Sequence, residues 1–143
     1  MPESSSEMTI TFESLFEILR REKNREALQK LSPAFYKEVR DYIREKQRLL
    51  NDFSTQDPNE RAKITRQIEN IRKMLRELYE RREKKLLFMA LNESHTRTSV
   101  DHDSLLAEEN ASYLPLLSIL NKSREEHLEG LFAEEAPQEK SPT

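Results

Sequence analysis

The 143-residue chain carries 24 basic and 27 acidic side chains, no Cys, no Trp, one Gly and six Pro. A single Gly leaves almost nothing for tight hairpins, dinucleotide-binding turns or a phosphate-cradling loop, and Val, a strong strand former, occurs only twice. Rossmann, P-loop and β-sandwich enzymes do not fit this composition, and without Cys there are no disulfides and no Cys-ligated zinc or iron–sulfur site.

Ala, Glu, Leu, Lys and Arg make up about half of the residues, a balance that predicts long helices in one domain. Leu, Ile, Val and Phe are about 24% of the chain, enough to fold but with a thin core. Charge is uneven along the chain. Residues 1–60 hold 10 basic and 12 acidic side chains, 61–100 hold 11 and 5, and 101–143 hold 3 and 10. A basic middle before an acidic end suits either a nucleic-acid surface or helices of opposite sign that attract each other, and solvated helices carry such charges routinely.

Residues 1–8, MPESSSEM, read as a polar arm without the basic and apolar regions of a leader. The longest apolar run, Leu86 to Leu91, is far short of a membrane span, so a cytoplasmic location is expected. A helical domain is predicted over 9–132, followed by an acidic, Pro-containing tail over 133–143. The first helix is expected from Thr11 as N-cap, with Phe12, Leu15, Phe16 and Leu19 on one face, running to Leu28–Leu31. Ser32 as N-cap and Pro33 at the first position predict the second helix, with Leu31 stapled onto Tyr36. Its seam is Phe35, Val39, Tyr42, Lys46, Leu49 and Phe53.

Asp57-Pro58-Asn59-Glu60 is a third start signal, with Glu60 reaching back. After it Ile64, Ile68, Ile71, Leu75 and Leu78 alternate in steps of four and three, a heptad seam. A helix over 58–92 would be roughly 50 Å long at 1.5 Å per residue, overlong for a lone small domain. Residues 93–103 lose the period and read as a loop. A fourth helix is expected from Ser104 to about Gly130, carrying Leu114, Leu117, Leu120 and Leu128, with Pro115 beginning, kinking or breaking it. The fold class predicted is an all-α antiparallel bundle of about four helices, the third overlong.

Residues that could carry chemistry are sparse. His95 and His102 lie near Asp101 and Asp103, but there is no His pair at the i, i+4 spacing of zinc helices, and no metal or other cofactor is expected. His127 sits among acids near a helix end, where the dipole favours a cation. No Ser stands on a strand–turn–helix elbow and there is no Cys, so no catalytic residue is assigned. Arg82 and Lys85 extend the seam where aliphatics belong. They would suit a helical mutase that binds a dianion, but a seam Arg more often pairs with a Glu of a neighbouring helix, and Arg82 is assigned as a buried or half-buried ion-pairing residue. Arg61, Lys63, Arg66, Arg72, Lys73, Arg76, Arg81, Lys84 and Lys85 go nearly round their helix without interleaved aromatics. At most weak, nonspecific contact with DNA is expected of them.

Three segments in order resemble the archaeal GINS subunits in which the helical domain comes first. They are LFEILRREKNREALQKL from Leu15 to Leu31, the Ser-Pro-start helix LSPAFYKEVRDYI from Leu31 to Ile43, and LYERREKKLLFMALN from Leu78 to Asn92. The closing EENASYLPLLSILNKSREEHLEGLF matches the family's last helix in style. The resemblance implies a non-catalytic, nucleoid-associated replication factor that joins other GINS subunits in a homo- or hetero-tetramer. That tetramer bridges the MCM helicase and a RecJ-like partner at the fork. Family members of this class continue past an acidic linker into a small β-rich domain; that domain is expected to be absent here, and the docking attributed to it is not carried over.

The residues assigned to subunit or helix contacts are Phe35, Val39, Tyr42, Ile64, Ile68, Ile71, Leu75, Leu78, Leu114 and Leu117. Burying each seam aliphatic contributes on the order of 1.5–3 kcal/mol, which chain ordering largely opposes, so an assembly needs more than one such face. A generic coiled-coil adaptor is the alternative.

Overall fold

The computed structural model describes residues 9–52 and 57–134, and the arm, Phe53 and most of the acidic tail lie outside them. The described residues are all-helical, as the composition predicts: α1 (Phe12–Lys23), α2 (Phe35–Asn51), α3 (Pro58–Thr96), α4 (Ala107–Ser123), a π-helical turn over Arg124–Glu129 and a short α5 (Gly130–Phe132). No helix among them is long and apolar enough to cross a membrane.

Local chemistry sets the starts. The Thr11 hydroxyl accepts the Ser14 amide at 3.0 Å while the Ser14 hydroxyl accepts the Thr11 amide at 2.7 Å, a reciprocal cap for α1. The second start differs from expectation: Ser32 Oγ accepts the Ala34 amide at 3.2 Å, but Ser32 and Pro33 belong to the preceding turn, and the N-cap of α2 is Ala34, which makes no side-chain cap bond. Asp57 accepts the Asn59 amide at 3.0 Å with Pro58 behind it, capping α3 without the reciprocal Glu60 bond.

Two helix ends differ from expectation. α1 stops at Lys23, not near Leu31, because the Gln29 amide and side chain fold back onto Glu22, and residues 24–34 become a loop that buries Leu28 and Leu31. α3 continues to Thr96, where Arg97 in the left-handed conformation (φ 58°) ends it. At 39 residues it is about 58 Å long. Pro115 neither starts nor stops α4, which runs through it to the π-helical turn.

Helix α3 is the spine, with α1, α2 and α4 each packed on it. The core joins Leu15, Ile18 and Leu19 of α1, Phe35 and Val39 of α2, Ile71 and Leu78 of α3, and Ile10, Leu31 and Leu106 from the connections. Relative to prediction the buried face of α1 is rotated: Ile18 points in, and Phe16 is 55% exposed. α1 ends and α2 begins beside Arg82, while the Phe12 backbone meets the Tyr42 hydroxyl, so these two helices are antiparallel. Lys46 of α2 donates to Gln67 of α3 at 3.0 Å, which makes α2 antiparallel to α3. The fourth helix breaks the alternation. Glu109 pairs with Arg82 and Glu129 pairs with Arg97, so α4 runs parallel to the C-terminal half of α3. The 97–106 loop makes this possible by travelling back along α3, with Leu106 in the core and His102 bonded to Glu93.

Candidate functional site

The most constrained part of the molecule is a buried ionic network at Arg82, where α1, the 24–34 loop, α3 and the start of α4 meet. Each N–H of the Arg82 guanidinium is used. Nε and Nη2 donate side-on to Glu109 at 2.6 and 2.8 Å, Nη1 to Glu22 at 2.8 Å and the Gln29 carbonyl at 2.7 Å, and Nη2 also to the Ser104 carbonyl at 3.1 Å. Lys85, one turn on, donates to the Glu22 carboxylate and carbonyl, both at 2.7 Å, and to the Ala27 carbonyl at 3.1 Å. Glu22 completes the set by accepting from the Gln29 amide and side chain.

Two cations thus balance two carboxylates out of water. Burial pushes the Glu22 carboxyl up, but hydrogen bonds from Lys85 and Gln29 and the Arg82 charge outweigh it and hold Glu22 below the ordinary value of 4.5. Burial likewise works against the Arg82 charge, and the bond to Glu109 together with Glu22 more than reverses it, leaving the guanidinium more basic than usual. With every donor of Arg82 and Lys85 committed to carboxylates and carbonyls, this pair offers none to a dianionic substrate, and the mutase reading loses its two residues.

Arg82 therefore stands where the sequence assigns it, buried and paired. Of the contact residues, Phe35, Val39, Ile64, Ile68, Ile71 and Leu78 are buried within the single chain. Tyr42 and Leu75 are half-buried against the core, and Leu117 is half-buried on α4. Leu114 is 51% exposed. Sequence reasoning missed Glu22, Gln29 and Glu109. Glu22 carried a signal: it follows Leu15, Ile18 and Leu19 at the i+7 position, an acid on the apolar stripe of α1.

The basic side chains of α3 other than Arg82 and Lys85 are exposed, as a solvated helix requires. His95 belongs to the last turn of α3 and is exposed. His102 is not a solvated loop residue: its Nε2 lies 3.2 Å from Glu93 and its ring meets Tyr113 edge-on at 4.8 Å. Tyr113 donates to the same Glu93 oxygen at 2.7 Å. Among the described residues no group of three or more His, Cys, Asp or Glu is arranged to hold a metal ion.

The C-terminal half of α3 carries the second feature, its exposed apolar side chains. Leu87, Phe88 and Leu91 are exposed there, Phe88 at 59%, and on the fourth helix and its extension Ile119, Leu131 and Phe132 are exposed at 65–76%. No protein-family model, curated protein or solved structure matches the chain.

Proposed function

We propose that this chain is a non-catalytic helical subunit of a GINS-type tetramer, which scaffolds the replicative helicase at the fork and contacts MCM through the assembled complex. The observation that carries the reading is the large apolar side chains left outside a core that is already closed. Leu87, Phe88 and Leu91 of α3 are exposed at 44%, 59% and 37%, and another chain would exclude water from them. Two features support the resemblance. The segments that carry it supply the ionic network, with Glu22 in the first, Arg82 and Lys85 in the charge block, and Glu109 at the head of the closing segment. In addition, α3 is long enough to hold α1, α2 and α4 along its length.

Light scattering coupled to size exclusion tests this. The expected species is compact, at four times the 17.0-kDa chain mass. An elongated dimer would favour the coiled-coil adaptor, and a stable single chain at micromolar concentration refutes the proposal. Leu75 packs against the core, so Leu75→Asp perturbs folding as well as assembly. Phe88→Glu is the cleaner probe: helicity is retained and the assembly dissociates. An unchanged mass for Phe88→Glu removes this face from the interface.

A further inference from the structure

A cavity of about 260 Å³ opens between α2 and α3, walled by Phe35, Tyr36 and Val39, by Leu75 and Tyr79, and by Leu106. Its charged side chains are Arg76 and Arg82. Arg82 is spent inside the ionic network, whereas Arg76 is exposed and makes no ion pair among the described residues. The socket is thus apolar with a cation at its rim. Tyr36, Tyr79 and Arg82 also wall a second cavity of about 290 Å³, which carries the groove on to Leu87 between α3 and α4.

A segment of matching chemistry lies elsewhere in the chain. Leu131 and Phe132 are the most exposed large apolar side chains among the described residues, at 76% and 75%. Glu134 and Glu135 follow them in sequence, so an apolar pair is trailed by two acids. Glu134 is exposed and makes no ion pair among the described residues. The segment does not reach the socket of its own chain. Glu129 bonds Arg97 at 3.0 Å, which holds the segment beside the end of α3, and Tyr79 to Arg97 spans about 27 Å of helix.

A second copy does reach it. When two chains lie antiparallel along α3 about a twofold axis, the segment of each meets the socket of the other, and one contact is made twice. The level midway between Leu78 and Arg97 is that of Leu87 and Phe88, so the axis passes beside apolar side chains already exposed to water. The chain after Phe132 then runs toward the start of α3, where Arg72, Lys73 and Arg76 are exposed and oppose Glu134 in charge. The acids of the second cavity, Glu83 and Glu108, lie on the side from which the segment enters. Of the acids there on the segment, Glu125 and Glu129 are held by Arg97 at 3.7 and 3.0 Å, and Glu126 has Lys84, exposed next to Glu83, to offset it.

We propose, resting on the assembly reading, that the socket between α2 and α3 receives the Leu131–Phe132 segment of a second copy of this chain, with Arg76 pairing Glu134 across a twofold contact. Because the chain has no Cys, single cysteines report that contact directly. Arg76→Cys mixed with Glu134→Cys is expected to give, on mild oxidation, a species at twice the 17.0-kDa chain mass with a 76–134 disulfide mapped by peptide mass spectrometry. Lys63→Cys mixed with Glu134→Cys is expected not to cross-link.

Phe132→Glu changes an exposed position, so helicity is retained by circular dichroism. Light scattering over a dilution series is expected to show self-association weakened about a hundredfold, tenfold for each of the two rings that lose their socket. A parent that assembles while Phe132→Glu assembles equally well, or while 76 and 134 fail to cross-link, overturns the socket and leaves the assembly reading standing. A parent that stays a single chain at micromolar concentration overturns both.

Discussion

Arg81 and Arg82 are neighbours on one helix, and both pair with glutamate, yet their environments differ completely. Arg81 meets Glu77 at 3.0 Å with the two side chains 43% and 40% exposed, whereas Arg82 meets Glu22 and Glu109 with all three nearly sealed from water. Replacing Arg82 by Met keeps an apolar stem in place but strands the charges it balanced. Glu109 then keeps only the Leu106 amide, and Glu22 keeps Lys85 and Gln29. Breaking a buried pair in this way costs about 3–5 kcal/mol.

A small domain has a net stability of about 5–15 kcal/mol, and a urea slope near 2 kcal/mol per molar is typical. Arg82→Met is therefore expected to lower the urea midpoint by about 2 M, read by circular dichroism at fixed protein concentration. Arg81→Met breaks an exposed pair and is expected to cost at most about 1 kcal/mol. Equal shifts in the two variants refute the reasoning, because burial would then count for nothing.

The remaining predictions concern pH. Glu22 titrates below its ordinary value in the folded chain, so its stabilisation is present above about 4.5 and is lost as pH falls through the folded value. Urea midpoints from pH 6 down to pH 3 are expected to fall, with a shallower fall in Arg82→Met, and a flat parent profile refutes the assignment. Tyr113 shifts the other way: burial, then its hydrogen bond to Glu93, raises the phenol well above its ordinary value of 10. Its neutral form is favoured by folding, so stability is expected to drop as pH rises above about 10, where only the unfolded chain ionises it. Burial raises Tyr36 and Tyr42 as well, so tyrosinate absorbance on alkaline titration is expected to show a late-titrating component that Tyr113→Phe reduces, and a Tyr113→Phe profile identical to the parent refutes this.

The starts of α1 and α3 were legible because they depend on neighbours in sequence, whereas α2 and α4 are capped at Ala34 and Leu106 and not at Ser32 and Ser104. Thr11 with Ser14, and Asp57 with Pro58, satisfy the first free amides with side chains two or three residues away. The seam Ile64, Ile68, Ile71 and Leu78 was legible for the same reason, since its period is a property of one helix. The end of α1 was not. Nothing local stops a helix in REKNREALQKL; the stop comes from Gln29 bonding Glu22 while Arg82, 53 positions further on, takes the Gln29 carbonyl. The direction of α4 escaped for a related reason. A ten-residue connection is long enough either to turn the chain or to carry it back, and Ser104 and Leu106 settle the choice by docking on α3. The candidate site divides the same way: Arg82 stood out as a charge on an apolar seam, but Glu109 is one acid among many until Arg82 selects it.

Burying the network has a consequence for the rest of α3. Removing four charges from water costs several kcal/mol per ion before their mutual attraction and hydrogen bonds are counted, so the network stabilises weakly compared with apolar packing of the same volume. What it does supply is position. A side-on Arg–carboxylate pair tolerates little displacement, and Arg82 ties the register of α1, the 24–34 loop and α4 to one point on the spine. Apolar side chains of the following turns divide: Ala90 is fully buried, Leu86 and Met89 are half-buried, and the rest stay outside. Leu87, Phe88 and Leu91 are the ones that remain exposed. Phe88, the most exposed aromatic of α3, is left outside the locked single chain, and the proposed assembly depends on it.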